Sequence, residues 1–331
     1  MTVRPTILVT QRIADVAYPR LEQVGIVESA TAEESIWSHA ELLRRGPSHT
    51  YLLSTPVDSI DEAFLKACIA QQPALQLVAN MAVGYNNIDV AAATRLGIII
   101  TNTPGVLSDT TADLAFGLLL ATARRMGEAE RFLRAGRFVG IRPQLLCGAD
   151  VHHATLGIIG AGRIGLTMAR RASGFDMKIL YYNRQRLAQE QEQLYHLTYT
   201  PFQELLQQAD FVSLHLPYSA TSHHLIGEQQ LALMKPTGIL INTARGPLVD
   251  EKALVKALKQ GVIAGAGLDV FEHEPAVEPD LLAMENVVLL PHVGSATQET
   301  RTRMALMACD NIIAHTQGER PPNIVNPEVL I

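Results

Sequence analysis

One short segment constrains this chain more than any other. Leu156-Gly157-Ile158-Ile159-Gly160-Ala161-Gly162-Arg163-Ile164-Gly165 reads as a buried strand running into G-x-G-x-x-G and then into a helix. Gly160 permits a tight turn, Gly162 lets the backbone approach a pyrophosphate, and Gly165 lets the helix pack close to the strand. The helix start at Arg163 and Ile164 favours negative charge through its unpaired amides. A glycine cluster alone is a weak signal. Flanked by a strand, by the amphipathic stretch Arg163 to Ser173 and by another strand at Lys178, it becomes a phosphate cradle for a dinucleotide.

The cradle sits inside a second series of strands alternating with helices. These strands are expected near Thr155 to Ile159, Lys178 to Tyr182, Phe211 to Leu216, Gly238 to Asn242, Gly265 to Asp269 and Val287 to Leu290. An earlier series has strands at Thr6 to Thr10, Tyr51 to Ser54, Leu75 to Asn80 and Ile98 to Thr101, with helices at Glu62 to Ala70 and Asp89 to Leu96. Alternation of this kind implies parallel sheets covered on both faces. Asn102-Thr103-Pro104-Gly105 marks a hinge, followed by a helix from about Ser108 to Arg125 with Ser108 or Asp109 as N-cap. Arg137 to Asp150 reads as irregular, and a last helix from Ser295 to Gln317 is expected to return to the first domain.

Composition narrows the partners. At 331 residues the chain has room for two ordinary domains. A net charge of -6 and the lack of any long basic run give no footprint for nucleic acid or an anionic membrane. Met1 to Thr10 is too weakly apolar for a secretory signal, and Ala112 to Ala123 is too short to span a bilayer. Cys68, Cys147 and Cys309 are odd in number and scattered, as in a reducing, cytoplasmic setting. Small molecules are the expected ligands. No metal site is expected, because adjacent histidines at His152-His153 and His223-His224 do not share one helical face and no third ligand has recognised spacing.

About 20 residues past the cradle, NAD-selective chains carry an acid that binds the ribose hydroxyl. Here Asn183 takes that place, and Arg184 and Arg186 supply one or two guanidinium groups for a 2′-phosphate. NADPH is therefore the expected cofactor, with NADH a weaker alternative. Three segments place polar groups just past strands of the same domain: Asn242-Thr243-Ala244-Arg245-Gly246, Asp269-Val270-Phe271-Glu272-His273-Glu274-Pro275 and Leu290-Pro291-His292-Val293-Gly294. Reducing a 2-oxo acid needs a cation for the carboxylate, a hydride donor and an acid for the carbonyl oxygen. Arg245, NADPH and His292 fill those roles, and Glu274 is placed to orient the imidazole. Taken singly, each residue also has a plain structural reading as a cap, an acidic-loop member or a turn histidine.

Gly160 to Gly165, Thr243 to Asp250, Gly265 to Phe271 and Pro291 to Gly294 together resemble the signatures of the D-2-hydroxyacid dehydrogenases over nearly the whole chain. Val151 to Gly157 and Gly294 to Arg301 are most similar to the glyoxylate/hydroxypyruvate and 2-ketogluconate reductases. The resemblance implies an α/β fold of two doubly wound domains. A Rossmann cofactor domain, residues 105–294, is inserted into a flavodoxin-like substrate domain made of residues 1–104 and 295–331. It implies that Arg245 binds the substrate carboxylate, that His292 and Glu274 form the acid–base pair, and that the Val83 and Gly84 amides also bind the carboxylate. Thr243 and Asp269 then join the cofactor contacts, Asp269 at the nicotinamide carboxamide, and a homodimer forms on the helix after Ser108. Asn86 stands where the family commonly has Asp. The expected reaction is reduction of glyoxylate, hydroxypyruvate or 2-ketogluconate to the D-2-hydroxy acid. The rival readings are a nucleotide-sensing, corepressor-like scaffold and a short-form 3-phosphoglycerate dehydrogenase.

Overall fold

The computed structural model describes residues 4–31 and 36–330, so the first three residues of the Met1 to Thr10 segment lie outside it. It divides into two compact units, one made of Met1–Leu107 with Ser295–Ile331 and the other of Ser108–Gly294. The first division falls at Leu107, after the bend at Gly105 and directly before the helix that starts at Ser108.

The first unit holds five parallel strands: β1 (Thr6–Val9), β2 (Ile26–Ser29), β3 (Tyr51–Ser54), β4 (Leu77–Asn80) and β5 (Ile99–Thr101). Their order is β2-β1-β3-β4-β5, the flavodoxin-like arrangement. Strand periodicity sorts the side chains. Leu8, Leu52, Val78 and Ile100 face one core with Phe64, Leu65, Ala92 and Ala93 from the helices Glu62–Ile69 and Val90–Arg95. The helices Tyr18–Val24 and Gln298–Thr316 pack together on the opposite side. Asp61, Asp89 and Thr297 cap their helices by accepting from the Phe64, Ala92 and Thr300 amides, each cap worth about 1 kcal/mol.

The second unit holds seven parallel strands: β6 (Thr155–Ile159), β7 (Lys178–Tyr182), β8 (Leu197–Tyr199), β9 (Phe211–Leu214), β10 (Ile239–Asn242), β11 (Gly265–Leu268) and β12 (Val287–Leu289). The order β12-β11-β10-β9-β6-β7-β8 is a Rossmann sheet with one strand added at an edge. Ile158 and Tyr181 point into a core with the helices Ser108–Ala123 and Arg163–Ser173, while Ile159 and Leu180 point into the other core with Leu205, Leu231 and Leu254.

Two corrections concern elements. The sequence reading has six strands in this unit and four in the first; β8 and β2 are additional. Both are edge strands, and β2 alternates exposed with half-buried residues, so neither carries the continuous apolar run of a central strand. The helix after Ser108 stops at Ala123, where Arg125 adopts φ 50°, and a separate helix Met126–Arg134 follows. Residues 137–150 carry neither helix nor strand. Among the described residues, no helix is long and apolar enough to cross a membrane.

Candidate active site

The chain order of the second sheet reverses between β6 and β9, and the glycine turn lies just beyond β6. Gly160 adopts φ 98°, and a Cβ there would lie 2.6 Å from the Leu216 amide nitrogen. A Cβ on Gly165 would lie 2.3 Å from the Gly160 carbonyl oxygen. At Gly162 a Cβ would meet nothing within 4 Å, so the side of the turn that must admit a phosphate is open. Gly162 caps the helix Arg163–Ser173 without any side-chain hydrogen bond, which leaves the first amides, those of Arg163, Ile164 and Gly165, to an anion.

Asn183 has a task the sequence did not show. Its Oδ1 accepts from the Ala161 amide at 2.7 Å and so braces the glycine turn. Arg184 and Arg186 differ. Arg186 is committed to Glu192, with Nε and Nη2 each 2.8 Å from a carboxylate oxygen, and Glu192 also accepts from the Tyr181 hydroxyl. These bonds hold Glu192 down at about 2 against the opposing effect of burial. Arg184 is exposed and has no ion pair among the described residues. Of the two guanidinium groups, Arg184 is the one left for a 2′-phosphate. The Thr243 hydroxyl is buried without a hydrogen-bond partner among the described residues, as expected of a group kept for a ligand. The open glycine turn, the uncapped helix and this orphaned hydroxyl fit a dinucleotide.

Beyond β10, β11 and β12, three loops converge. His292 adopts φ 54°, a rare conformation for a non-glycine residue, and its amide donates to the Asp269 carbonyl at 2.9 Å. Its Nδ1 lies 2.8 Å from Glu274 Oε2, while Glu274 Oε1 accepts from the Phe271 amide at 2.9 Å. Burial presses the Glu274 carboxyl upward. The hydrogen bond and charge of His292, the Phe271 amide and Arg245 more than reverse this, and the group stays below the usual carboxylate range. Both oxygens of Asp269 accept backbone amides of the histidine loop, Val293 and Gly294, at 2.8 Å each. Burial still raises the Asp269 carboxyl above its ordinary value. Asp269 thus fixes the loop that carries His292.

Arg245 donates to the Ala244 carbonyl at 2.6 Å, and burial lowers its guanidinium from the ordinary arginine range while Glu274 opposes the shift. Sequence reasoning passed over the residues that hold it. Asn242 Nδ2 donates to the Arg245 carbonyl at 2.9 Å and its Oδ1 accepts from the Ala244 amide at 3.0 Å. Glu251 and Glu272 exchange bonds, Glu251 Oε1 accepting the Glu272 amide at 2.7 Å and Glu272 Oε2 accepting the Glu251 amide at 3.3 Å. The only signal for these was the place of Asn242 and Glu272 at strand ends beside the named residues; Glu251 opens the helix Glu251–Lys259.

In the first unit, Asn102 Nδ2 donates to the Val83 carbonyl at 2.8 Å and Asn80 Nδ2 to the Gly84 carbonyl at 3.0 Å. Neither the Val83 nor the Gly84 amide has an acceptor among the described residues.

Fold and loops together define a dinucleotide-dependent oxidoreductase whose strand-end loops bring a histidine–glutamate pair beside an arginine. Residues 116–294 match the NAD-binding domain of the D-isomer specific 2-hydroxyacid dehydrogenases. The chain is 49% identical over 331 residues to a glyoxylate reductase of Korarchaeum cryptofilum, covering 99% of this chain and 98% of that one. A Thermococcus litoralis glyoxylate reductase is 45% identical over 338 residues, with 99% and 98% covered. Among solved structures, the NADPH-dependent glyoxylate/hydroxypyruvate reductase of Sinorhizobium meliloti, in complex with NADP and malonate, matches with a TM-score of 0.83 at 35% identity, covering 98% of each chain. A glyoxylate reductase from Paecilomyes thermophila gives 0.86 at 33% identity, with 98% and 99% covered. The chain belongs to the D-isomer specific 2-hydroxyacid dehydrogenase family and is an NAD(P)-dependent oxidoreductase.

Proposed function

We propose that this enzyme reduces glyoxylate and hydroxypyruvate to the D-2-hydroxy acid with NADPH, with 2-ketogluconate as a further substrate. The observation that carries the reading is the His292–Glu274 pair at 2.8 Å beside Arg245. Nδ1 of His292 is engaged by Glu274, so Nε2 is the nitrogen that holds the proton for the carbonyl oxygen. Glu274 stabilises the charged imidazole before that proton leaves. Arg245 binds the substrate carboxylate, and the free Val83 and Gly84 amides are assigned to the same group. The bound nicotinamide supplies the hydride. Gly160, Gly162, Arg163, Ile164 and Gly165 hold its pyrophosphate, Thr243 and Asp269 its nicotinamide end, and Arg184 its 2′-phosphate.

Residues 105–294 act in this reading as the cofactor domain and residues 1–104 with 295–331 as the substrate domain. A cytoplasmic homodimer fits the chain as well. The helix Ser108–Ala123 buries Ala112, Ala115, Phe116, Leu118 and Leu119 in the core of its own unit. Past that helix, Met126, Leu133, Phe138, Val139 and Ile141 are among the exposed apolar residues.

Steady-state kinetics with glyoxylate, hydroxypyruvate, 2-ketogluconate and 3-phosphoglycerate, each with NADPH and NADH, test the assignment. Turnover of the first two with NADPH preferred is expected, reduced about 10²–10⁴-fold in His292→Asn. Nucleotide binding without turnover would instead mark a scaffold, and preference for 3-phosphoglycerate would move the substrate assignment.

A further inference from the structure

A second cluster of chemistry lies in the same unit, outside the catalytic and cofactor-binding residues named above. His223 and His224 follow the short 3-10 turn Ala220–Ser222, so the separation that neighbours have on an α-helix does not apply to them. His224 takes a left-handed backbone, φ 50°, and the two rings stack with centroids 3.9 Å apart and planes 21° from parallel. One ligand-competent atom from each of His223, His224 and Glu272 lies within 4.8 Å of the others.

The other contacts of these side chains show which nitrogens are turned elsewhere. Nδ1 of His223 lies 3.4 Å from the Tyr218 hydroxyl, and Nδ1 of His224 lies 3.9 Å from Asp250 Oδ2. Nε2 of His224 lies 2.6 Å from Glu272 Oε1, while Glu272 Oε2 is turned to the Glu251 amide. Imidazoles with one nitrogen turned to an oxygen and the other to a shared centre have the outer-sphere arrangement of metal-ligating histidines.

We propose that His223, His224 and Glu272 form a binding site for a divalent transition-metal ion of the zinc type. Two imidazoles and one carboxylate are the donor set that zinc accepts, whereas magnesium and calcium require oxygen ligands. Tetrahedral zinc with bonds of about 2.0–2.1 Å keeps its ligand atoms roughly 3.4 Å apart. The ion therefore spreads the His224–Glu272 contact by less than about 1 Å, displacing the proton now shared there. His223 is exposed, so water completes the coordination. Glu272 shares the loop after β11 with Glu274, so the ion ties that loop to the turn at residues 218–224.

Calorimetric titration of the full-length, reduced, metal-free protein with zinc chloride tests this, with magnesium chloride as the comparison. One zinc per chain and no magnesium binding are expected. His223→Phe keeps the ring stack and removes a ligand, and should weaken zinc about a hundredfold or more while leaving the metal-free melting temperature unchanged. Glu272→Gln should do the same to binding, read against its own metal-free melting curve. Binding should persist in His292→Asn, which separates this cluster from the active-site imidazole. Zinc binding undiminished in His223→Phe, binding lost in His292→Asn, or no binding by the parent would each overturn the proposal.

Discussion

His215 stands at the end of β9 beside the glycine turn, with Nε2 2.8 Å from the Ser213 hydroxyl. Burial pulls its imidazole down to about 4. An unfolded histidine titrates near 6.5, so between about pH 6.5 and 4 the unfolded chain takes up a proton that the folded one refuses. The stability His215 contributes is present in full above that window and is lost as pH falls through it, with an upper limit of about 3 kcal/mol. Urea unfolding at pH 7 and pH 5 should show a smaller loss in His215→Asn than in the parent. An equal loss would mean that other groups carry the acid sensitivity. The proposed NADPH preference also rests on single residues. Arg184→Ala should lower the NADPH-over-NADH ratio of kcat/KM about ten- to a hundredfold. Arg186→Ala should leave that ratio in place, because its guanidinium already serves Glu192. If the two variants shifted the ratio equally, the division of labour between them would be wrong.

At the scale of elements, the loops after β10 and β11 are locked backbone to backbone. A Cβ on Gly246 would fall 1.8 Å from the Phe271 carbonyl oxygen, and no side chain can swing away to relieve that. Gly246→Ala must push the Arg245 loop off the loop that carries Glu274. Displacement on the order of 1 Å at reacting groups costs about 10²-fold, so turnover should fall by that much. NADPH binding, measured by fluorescence, should weaken far less than turnover, because the pyrophosphate cradle at Gly160 to Gly165 lies on a different strand. Unchanged turnover would show that the two loops adjust independently. The same elements explain what was legible beforehand. β6, β9, β10 and β11 are buried on both faces and read as apolar runs, and the glycines after β6 have spacing with a mechanism. β2 and β8 lie on sheet edges where half the pattern is missing. His292 and Glu274 were nominated by their places past strand ends, but their contact depends on the left-handed backbone at His292, which sequence spacing does not encode. Asn242, Glu251 and Glu272 act through backbone groups, and those bonds leave no periodic trace. The pairing of Arg186 with Glu192 crosses a turn and could not be separated from a phosphate role until the geometry was in hand.

At the scale of the whole molecule, the chain leaves the first unit at Leu107 and returns to it only at Ser295. The returning helix buries Met304, Ala305, Ala308, Cys309 and Ile312. The tail beyond it inserts Asn326, which accepts from the Ile100 amide at 2.8 Å and donates to the Ile98 carbonyl at 2.9 Å and the Thr94 hydroxyl at 3.0 Å. Removing residues 295–331 exposes Met304's and Ile312's neighbours at roughly 1.5–3 kcal/mol per large side chain and leaves the three Asn326 partners unsatisfied. Those losses are of the order of a whole domain's stability, about 5–15 kcal/mol. The second unit is a continuous segment with its own core on each face of its sheet. A fragment of residues 108–294 should therefore melt cooperatively and bind NADPH without turning over any 2-oxo acid. A fragment of residues 1–294 should show that same transition while its first 107 residues remain unfolded and sensitive to protease. If the longer fragment resisted proteolysis throughout its length, the first unit would not need the returning helix. If the shorter one failed to bind NADPH, the cradle would depend on residues outside its own unit.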